Sequence, residues 1–289
     1  MKHFLLSVIS ISISFTQVFS SYDYTGSRAT AMSGAVTSGP SGLYNIFHNP
    51  AQLSQLEGTY YINGFCDIFN QEFLPYFSVG MSFNSYAINY EELSTTIDGV
   101  ELSSESVIGL SKGFTFYSDR QSVIQSGFRF NFYQLNLGES SGISGDGSDG
   151  FTLGNTSGYG IDLGFQGILN NRFFIAYYMQ NIISTDMGYG LGNDLPKTLS
   201  IGLSYKPYED LLTSFDINQM AGKPDQEIRF GIEYYLSDVW TLRSGIQNNP
   251  NRFSFGLEYK FLEKYAFSYG LLTHHIMPIT HQINFSFKF

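Results

Sequence analysis

Three histidines, His274, His275 and His281, cluster near the carboxy-terminus. Imidazoles in such a group could ligate a metal, or one could serve as a general base. A metal needs further ligands at matching positions, and nucleophilic catalysis needs an activated nucleophile with an orienting acid. No serine or carboxylate stands out in either role. The expectation is therefore no catalytic residue, no metal site, no cofactor and no enzyme activity. The stretch Gly145-Asp146-Gly147-Ser148-Asp149-Gly150-Phe151 matches one turn of a calcium-binding nonapeptide repeat. That motif completes its oxygen shell only when turns stack, and the acidic spacing of an EF-hand is missing. It reads as a glycine-rich surface loop. A third set consists of charges at alternating positions: Arg129, Asp162, Arg229, Glu233, Arg243, Glu258 and Lys260. They could line a polar path or a headgroup site. Facing charges on adjacent strands favour a ladder of cross-strand ion pairs in a wet interior.

The elements that carry these charges are strands. Phe253, Phe255, Leu257, Tyr259 and Phe261 alternate with Arg252, Ser254, Gly256, Glu258 and Lys260. Ile228, Phe230, Ile232 and Tyr234 alternate with Glu227, Arg229, Gly231 and Glu233, and Phe128, Phe130 and Phe132 with Gly127, Arg129 and Asn131. Successive strand residues face opposite sides, so each segment has one apolar and one polar face. Fourteen such segments centre near Ile62, Val79, Ile88, Leu110, Phe130, Leu163, Ile175, Ile201, Phe215, Ile232, Leu242, Leu257, Tyr269 and Phe285. Lys112 falls awkwardly on an apolar face. Connections after even-numbered strands are short. Those after odd-numbered strands are mostly longer, notably Glu91 to about Ser106 and Gly138 to Ser157, as in bacterial barrels with periplasmic turns and outer loops.

Composition agrees. The 289 residues include 27 Phe and 21 Tyr against one Trp, so aromatics reach 17%, a content that disordered chains lack. A net charge of −10 argues against nucleic acid as a partner. The 30 glycines fit many turns, and also strand positions where a side chain would crowd the interior. Tyrosines such as Tyr61, Tyr86, Tyr205, Tyr259 and Tyr265 suit headgroup-level girdles better than a sugar-binding ladder. The single cysteine, Cys66, cannot form an internal disulfide.

Residues 1–20 read as a secretory signal peptide: Lys2 precedes an apolar run, and Val18 and Ser20 are suited to cleavage after Ser20. The run is too short for a transmembrane helix. Residues 21–58 do not alternate and are punctuated by Gly34, Gly39, Pro40, Gly42 and Pro50; they read as a short plug inside the barrel. Residues 59–289 form the transmembrane antiparallel β-barrel, an all-β fold in the bacterial outer membrane. An even strand count places both termini in the periplasm. Outer-membrane lipid is then a partner through the outward apolar rows. A soluble β-sandwich is the alternative in which those rows are covered.

Two short motifs carry a resemblance. Gly26-Ser27-Arg28-Ala29-Thr30-Ala31-Met32-Ser33-Gly34-Ala35, followed by Asn49-Pro50-Ala51-Gln52-Leu53, resembles the opening of the FadL-type outer-membrane superfamily. Its mature chains begin with "G-x-R-x-x-x-M/L-G-G-A" and then "N-P-A-x-L"; here Ser33 replaces the first of the paired glycines. The terminal Phe285, Phe287 and Phe289 resemble the signal read by the barrel-assembly machinery. The resemblance implies a plugged fourteen-strand barrel. Chain length and the serine-arginine opening are similar to PorV and PorQ of the type IX secretion system, which implies an accessory of protein secretion with secretion components as partners. The alternative is a FadL-like passive channel for a hydrophobic ligand, and a third reading is a general porin.

Overall fold

In hydrocarbon every backbone polar group needs an internal partner, so a membrane-spanning sheet must have no free edge. The structure, a computed structural model, meets this by closing on itself. It describes residues 19–20, 22–97, 100–139, 143–144, 148–187 and 195–289. Most of the expected signal peptide and Gly145–Gly147 of the calcium-like loop lie outside the described residues.

Fourteen antiparallel strands follow one another around the wall. They are β1 (Thr59–Asp67), β2 (Pro75–Phe83), β3 (Tyr86–Ile97), β4 (Val100–Ser118), β5 (Ser122–Glu139), β6 (Thr152–Leu169) and β7 (Phe173–Ser184). Then come β8 (Thr198–Tyr208), β9 (Leu211–Met220), β10 (Glu227–Tyr235), β11 (Trp240–Gln247), β12 (Arg252–Phe261), β13 (Tyr265–Leu272) and β14 (Thr280–Lys288). Strand β1 pairs with β14, Tyr60 opposite Lys288 through Asp67 opposite His281, which closes the cylinder. Each of the fourteen expected centres lies inside its own strand.

The rows face as alternation demands. Phe128, Phe130, Phe132, Ile201, Leu203, Phe230, Phe253 and Phe255 are exposed on the outer surface. Their neighbours Arg129, Asn131, Ser204, Arg229, Ser254 and Glu258 are buried in the interior. At the rim formed by the short turns, aromatics pack in pairs, with centroids 4.5 Å apart for Phe173 and Tyr205 and for Trp240 and Tyr259, and 5.1 Å for Tyr61 and Phe287. Lys112 escapes its apolar face locally: its ammonium lies 3.5 Å from the Tyr86 ring centroid and donates to Ser85 Oγ at 2.7 Å.

Two expectations need correction. The polar stretch 91–106 is largely strand, and strand also takes up both ends of 138–157 as far as Glu139 and from Thr152, because β3–β4 and β5–β6 form tall hairpins. Beyond the bilayer no outward apolar residue is required, so the alternation fades while the backbone ladder continues. Secondly, the described chain ahead of β1 does not start at the short-turn rim, where an even strand count puts both termini. It runs through the interior, so that Tyr22 reaches Cys66 near the far end of β1 (Oη to Sγ, 3.0 Å) and Ser20 reaches Glu105.

Candidate functional site

The interior is built from residues 22–58 packed against the inner wall. Gly26 takes φ +91° and starts the short helix α1 (Ser27–Ala31), and Gly34 takes φ +78° just beyond it. A side chain would be strained at both positions. Ser33, which stands where the related motif has glycine, also sits at φ +51° and bonds Ser254 Oγ at 2.8 Å. Asn49 caps the 3-10 turn Pro50–Gln55 by accepting from the Ala51 amide at 3.0 Å, with Pro50 preset for the first turn. Its Nδ2 donates to Thr37 O at 3.0 Å, tying two loops of the segment together.

The wall makes room for this backbone with glycine. A Cβ on Gly127 would lie 2.4 Å from Pro50 C, one on Gly164 1.9 Å from Asn49 Oδ1, and one on Gly245 2.4 Å from Met32 C. Ala29, Ala31, Met32, Ala35 and Leu53 are fully buried between segment and wall.

The charges of β5, β6 and β10–β12 meet the segment as well as one another. Arg28 Nε donates to Glu233 at 2.9 Å, and Arg243 bridges Glu233 at 2.5 Å and Glu258 at 2.9 Å. Tyr44 of the segment donates to Glu258 at 2.7 Å, and Tyr235 donates to Glu233. Arg229 pairs with Asp23 at 3.0 Å and Glu227 at 2.5 Å rather than with Glu233. Lys260 is half exposed, 3.7 Å from Glu258. Arg129 and Asp162 stand opposite each other in register, yet their closest approach is 3.9 Å. Arg129 instead donates to the carbonyls of Ile46, Phe47 and His48 at 2.7, 3.0 and 2.7 Å. The sequence places these charges on the inner face, but Arg28, Asp23 and Tyr44 were not assigned to their network. Only the guanidinium of the motif, at a buried position, hinted at a buried acid.

His48 sits beside this cluster. Its Nε2 is 2.9 Å from Thr25 O, and that carbonyl can only accept. Burial, helped by the nearby Arg129 and Arg28 guanidiniums, pulls the imidazole down to about 3. It therefore stays neutral at any ordinary pH. His274, His275 and His281 do not form one site. His281 Nδ1 meets Tyr269 Oη at 2.6 Å on β14, whereas His274 Nδ1 accepts from the Ile276 and Met277 amides in the preceding connection. Among the described residues, no group of three metal-ligating side chains converges.

On the side of β2–β8 the segment leaves a cavity of about 120 Å³. Five aromatic side chains line it, Tyr22, Phe47, Tyr76, Tyr133 and Tyr178, with Phe19 reaching in beside them and Glu91, Glu105, Arg129 and Arg229 among its charged lining. Next to it the wall departs from a regular ladder. Between the pairs Ile161–Ile183 and Leu163–Met179, Asp162 alone faces Gln180, Asn181 and Ile182. Asn181 takes φ +53° and turns its amide inward to Asp162 at 2.8 Å. Asp162 also accepts from Asn131 and Tyr178, each at 2.9 Å. Pairing of β7 with β8 stops at Gln180 opposite Thr198.

The sequence matches no protein-family model and no curated protein sequence. Solved structures do match. The Ralstonia pickettii toluene transporter TbuX aligns with a TM-score of 0.63 at 15% identity, over 92% of this chain and 99% of its own. The Pseudomonas putida toluene transporter TodX gives 0.60 at 15%, over 94% and 98%. CymD, a monoaromatic hydrocarbon channel, gives 0.60 at 14%, over 91% and 97%. At such identity the likeness is one of fold. A closed fourteen-strand wall with an apolar exterior and an aromatic rim is the architecture of a barrel in the bacterial outer membrane.

Proposed function

We propose that the protein is a passive outer-membrane channel for small hydrophobic molecules, with residues 22–58 acting as the plug. The observation that carries this reading is the cavity: among the described residues it is an open part of the interior, it has the rings of Tyr22, Phe47, Tyr76, Tyr133 and Tyr178 in its wall beside charged groups, and it lies against the irregular stretch of β7. Its size is of the order of the ~150 Å³ apolar cavity that accommodates benzene in another protein. A molecule entering from the tall-hairpin end would bind there and leave sideways through the β7 irregularity into lipid. The toluene and hydrocarbon channels among the structural matches support the same reading by analogy of fold. A general porin fits poorly, since its lumen would hold water where Ala29, Met32 and Leu53 are packed dry. The secretion-accessory reading rests on the motif resemblance and ranks second. In either case the barrel-assembly machinery is the proposed reader of Phe285, Phe287 and Phe289.

A strain lacking the protein tests the choice. The channel reading expects slower uptake of toluene-sized hydrocarbons and an unchanged profile of secreted proteins. Normal uptake with an altered secreted profile would reverse the ranking.

A further inference from the structure

The cavity already contains a phenyl ring. Phe19 packs edge-on to Tyr133, with centroids 5.0 Å apart, in a cluster with Leu135, Met187 and Leu195. The next residue, Ser20, donates its amide and its hydroxyl to the Glu105 carboxylate at 2.7 and 3.0 Å. Both residues belong to the expected signal peptide. Cleavage after Ser20 removes the ring from its apolar cluster and both donors from Glu105.

The charge balance of the cavity narrows what takes their place. Its guanidiniums are matched: Arg129 faces Asp162 and three carbonyls, and Arg229 holds Asp23 and Glu227. Its glutamates are not. Glu91 accepts only from neutral groups, Tyr76 Oη at 2.5 Å, Thr25 Oγ1 at 2.8 Å and Asn89 Nδ2 at 2.8 Å. Glu91 pairs with Val107 and Glu105 with Leu93, which makes the two carboxylates diagonal neighbours on the inner face of β3 and β4. Such neighbours are roughly 7–8 Å apart and repel one another. No cationic side chain among the described residues bonds to either. Cleavage creates one ammonium, at the new terminus, against two carboxylates. Across the cavity Thr198 Oγ1, on a residue 6% exposed, has no hydrogen-bond partner among the described residues.

We propose that the processed barrel binds a single-ring aromatic amine in this cavity, the ring taking the place of Phe19 and the ammonium that of the Ser20 donors on Glu105. The inference rests on the channel reading and names its ligand class. The ring gains the apolar cluster and the edge of Tyr133. The ammonium gains the unmatched carboxylates, and the neighbouring Tyr22 and Tyr76 rings favour a cation further. An aromatic carboxylate of the same size meets repulsion instead.

Titration calorimetry on the detergent-solubilised protein tests this, after mass spectrometry has established where the chain starts. Benzylamine is expected to bind at least tenfold tighter than toluene at pH 7, and benzoate not at all. Glu105→Gln should bring benzylamine down to the level of toluene without changing toluene binding. Leu135→Trp should fill the ring site and abolish binding of both. Heat-modifiable gel migration reports that each variant is folded. Equal binding of benzylamine and toluene would overturn the inference, because the new terminus would then neutralise the carboxylates. Preference for benzoate, insensitivity to Leu135→Trp, or a chain that retains Phe19 would overturn it too. Toluene binding with indifference to Glu105→Gln would sink this inference alone, whereas absence of binding by every ring compound would sink the channel reading with it.

Discussion

Replacing Arg28 with alanine should loosen the amino-terminal segment without opening the wall. Arg28 is buried and gives Glu233 one charged hydrogen bond of 2.9 Å. Glu233 is 2% exposed and keeps Arg243, but Arg243 must then serve Glu258 as well. A charged hydrogen bond contributes about 1.5–3 kcal/mol. Complete orphaning of a buried charge would cost about 3–5 kcal/mol, and the retained Arg243 holds the loss below that. At ~1.4 kcal/mol per decade, the unseated population rises roughly 10- to 150-fold. Hydrogen exchange reads this directly. The Gly34 amide, bonded to Ala29 O at 2.8 Å within the segment, should lose protection by that factor. Amides in the β12–β13 ladder should not change. Glu233→Gln should loosen the same amide, since it breaks the bridge from the other side. Unaltered protection at Gly34 in Arg28→Ala would refute the claim that this ion pair seats the segment.

Other outcomes follow from the same packing. Gly164→Ala should unseat the segment, because its Cβ would lie 1.9 Å from Asn49 Oδ1, whereas Gly167→Ala, with nothing within 4 Å, should be silent; limited proteolysis distinguishes them. Phe230→Arg should impair assembly, at a cost of about 2–4 kcal/mol near the midplane, as scored by the yield of heat-modifiable barrel. Ser204→Ala and Ser254→Ala, on the inner face where both hydroxyls bond the segment, should leave that yield close to the unaltered protein's. His48 has a seated value near 3 against an unseated one near 6.5, so the unseated state binds the extra proton. Seating is then fully present above pH ~6.5 and weakens as the pH falls toward 3; His48→Gln should flatten that dependence in exchange measurements.

The wall was legible because period two is imposed by lipid on one side and a polar interior on the other. Phe253–Phe261 and Ile228–Tyr234 could not satisfy both in any other register. The heights of β3–β6 were not legible, since above the bilayer Ser94, Thr95 and Ser103 carry no facing signal. The interior was legible by face and not by partner. Arg129 and Asp162 fall opposite each other as adjacency suggests, but Arg129 spends its donors on the carbonyls of Ile46–His48. Those contacts span some eighty positions of chain, and alternation carries no information about them. The role of Arg28 was hidden in the same way: its acid, Glu233, lies 205 residues away.

Single-channel recording of the intact, processed barrel in a planar bilayer tests the filled interior most directly. The account predicts almost no potassium chloride conductance, and a lasting conductance once residues 22–58 are deleted. A steady open-pore current from the intact protein would contradict it.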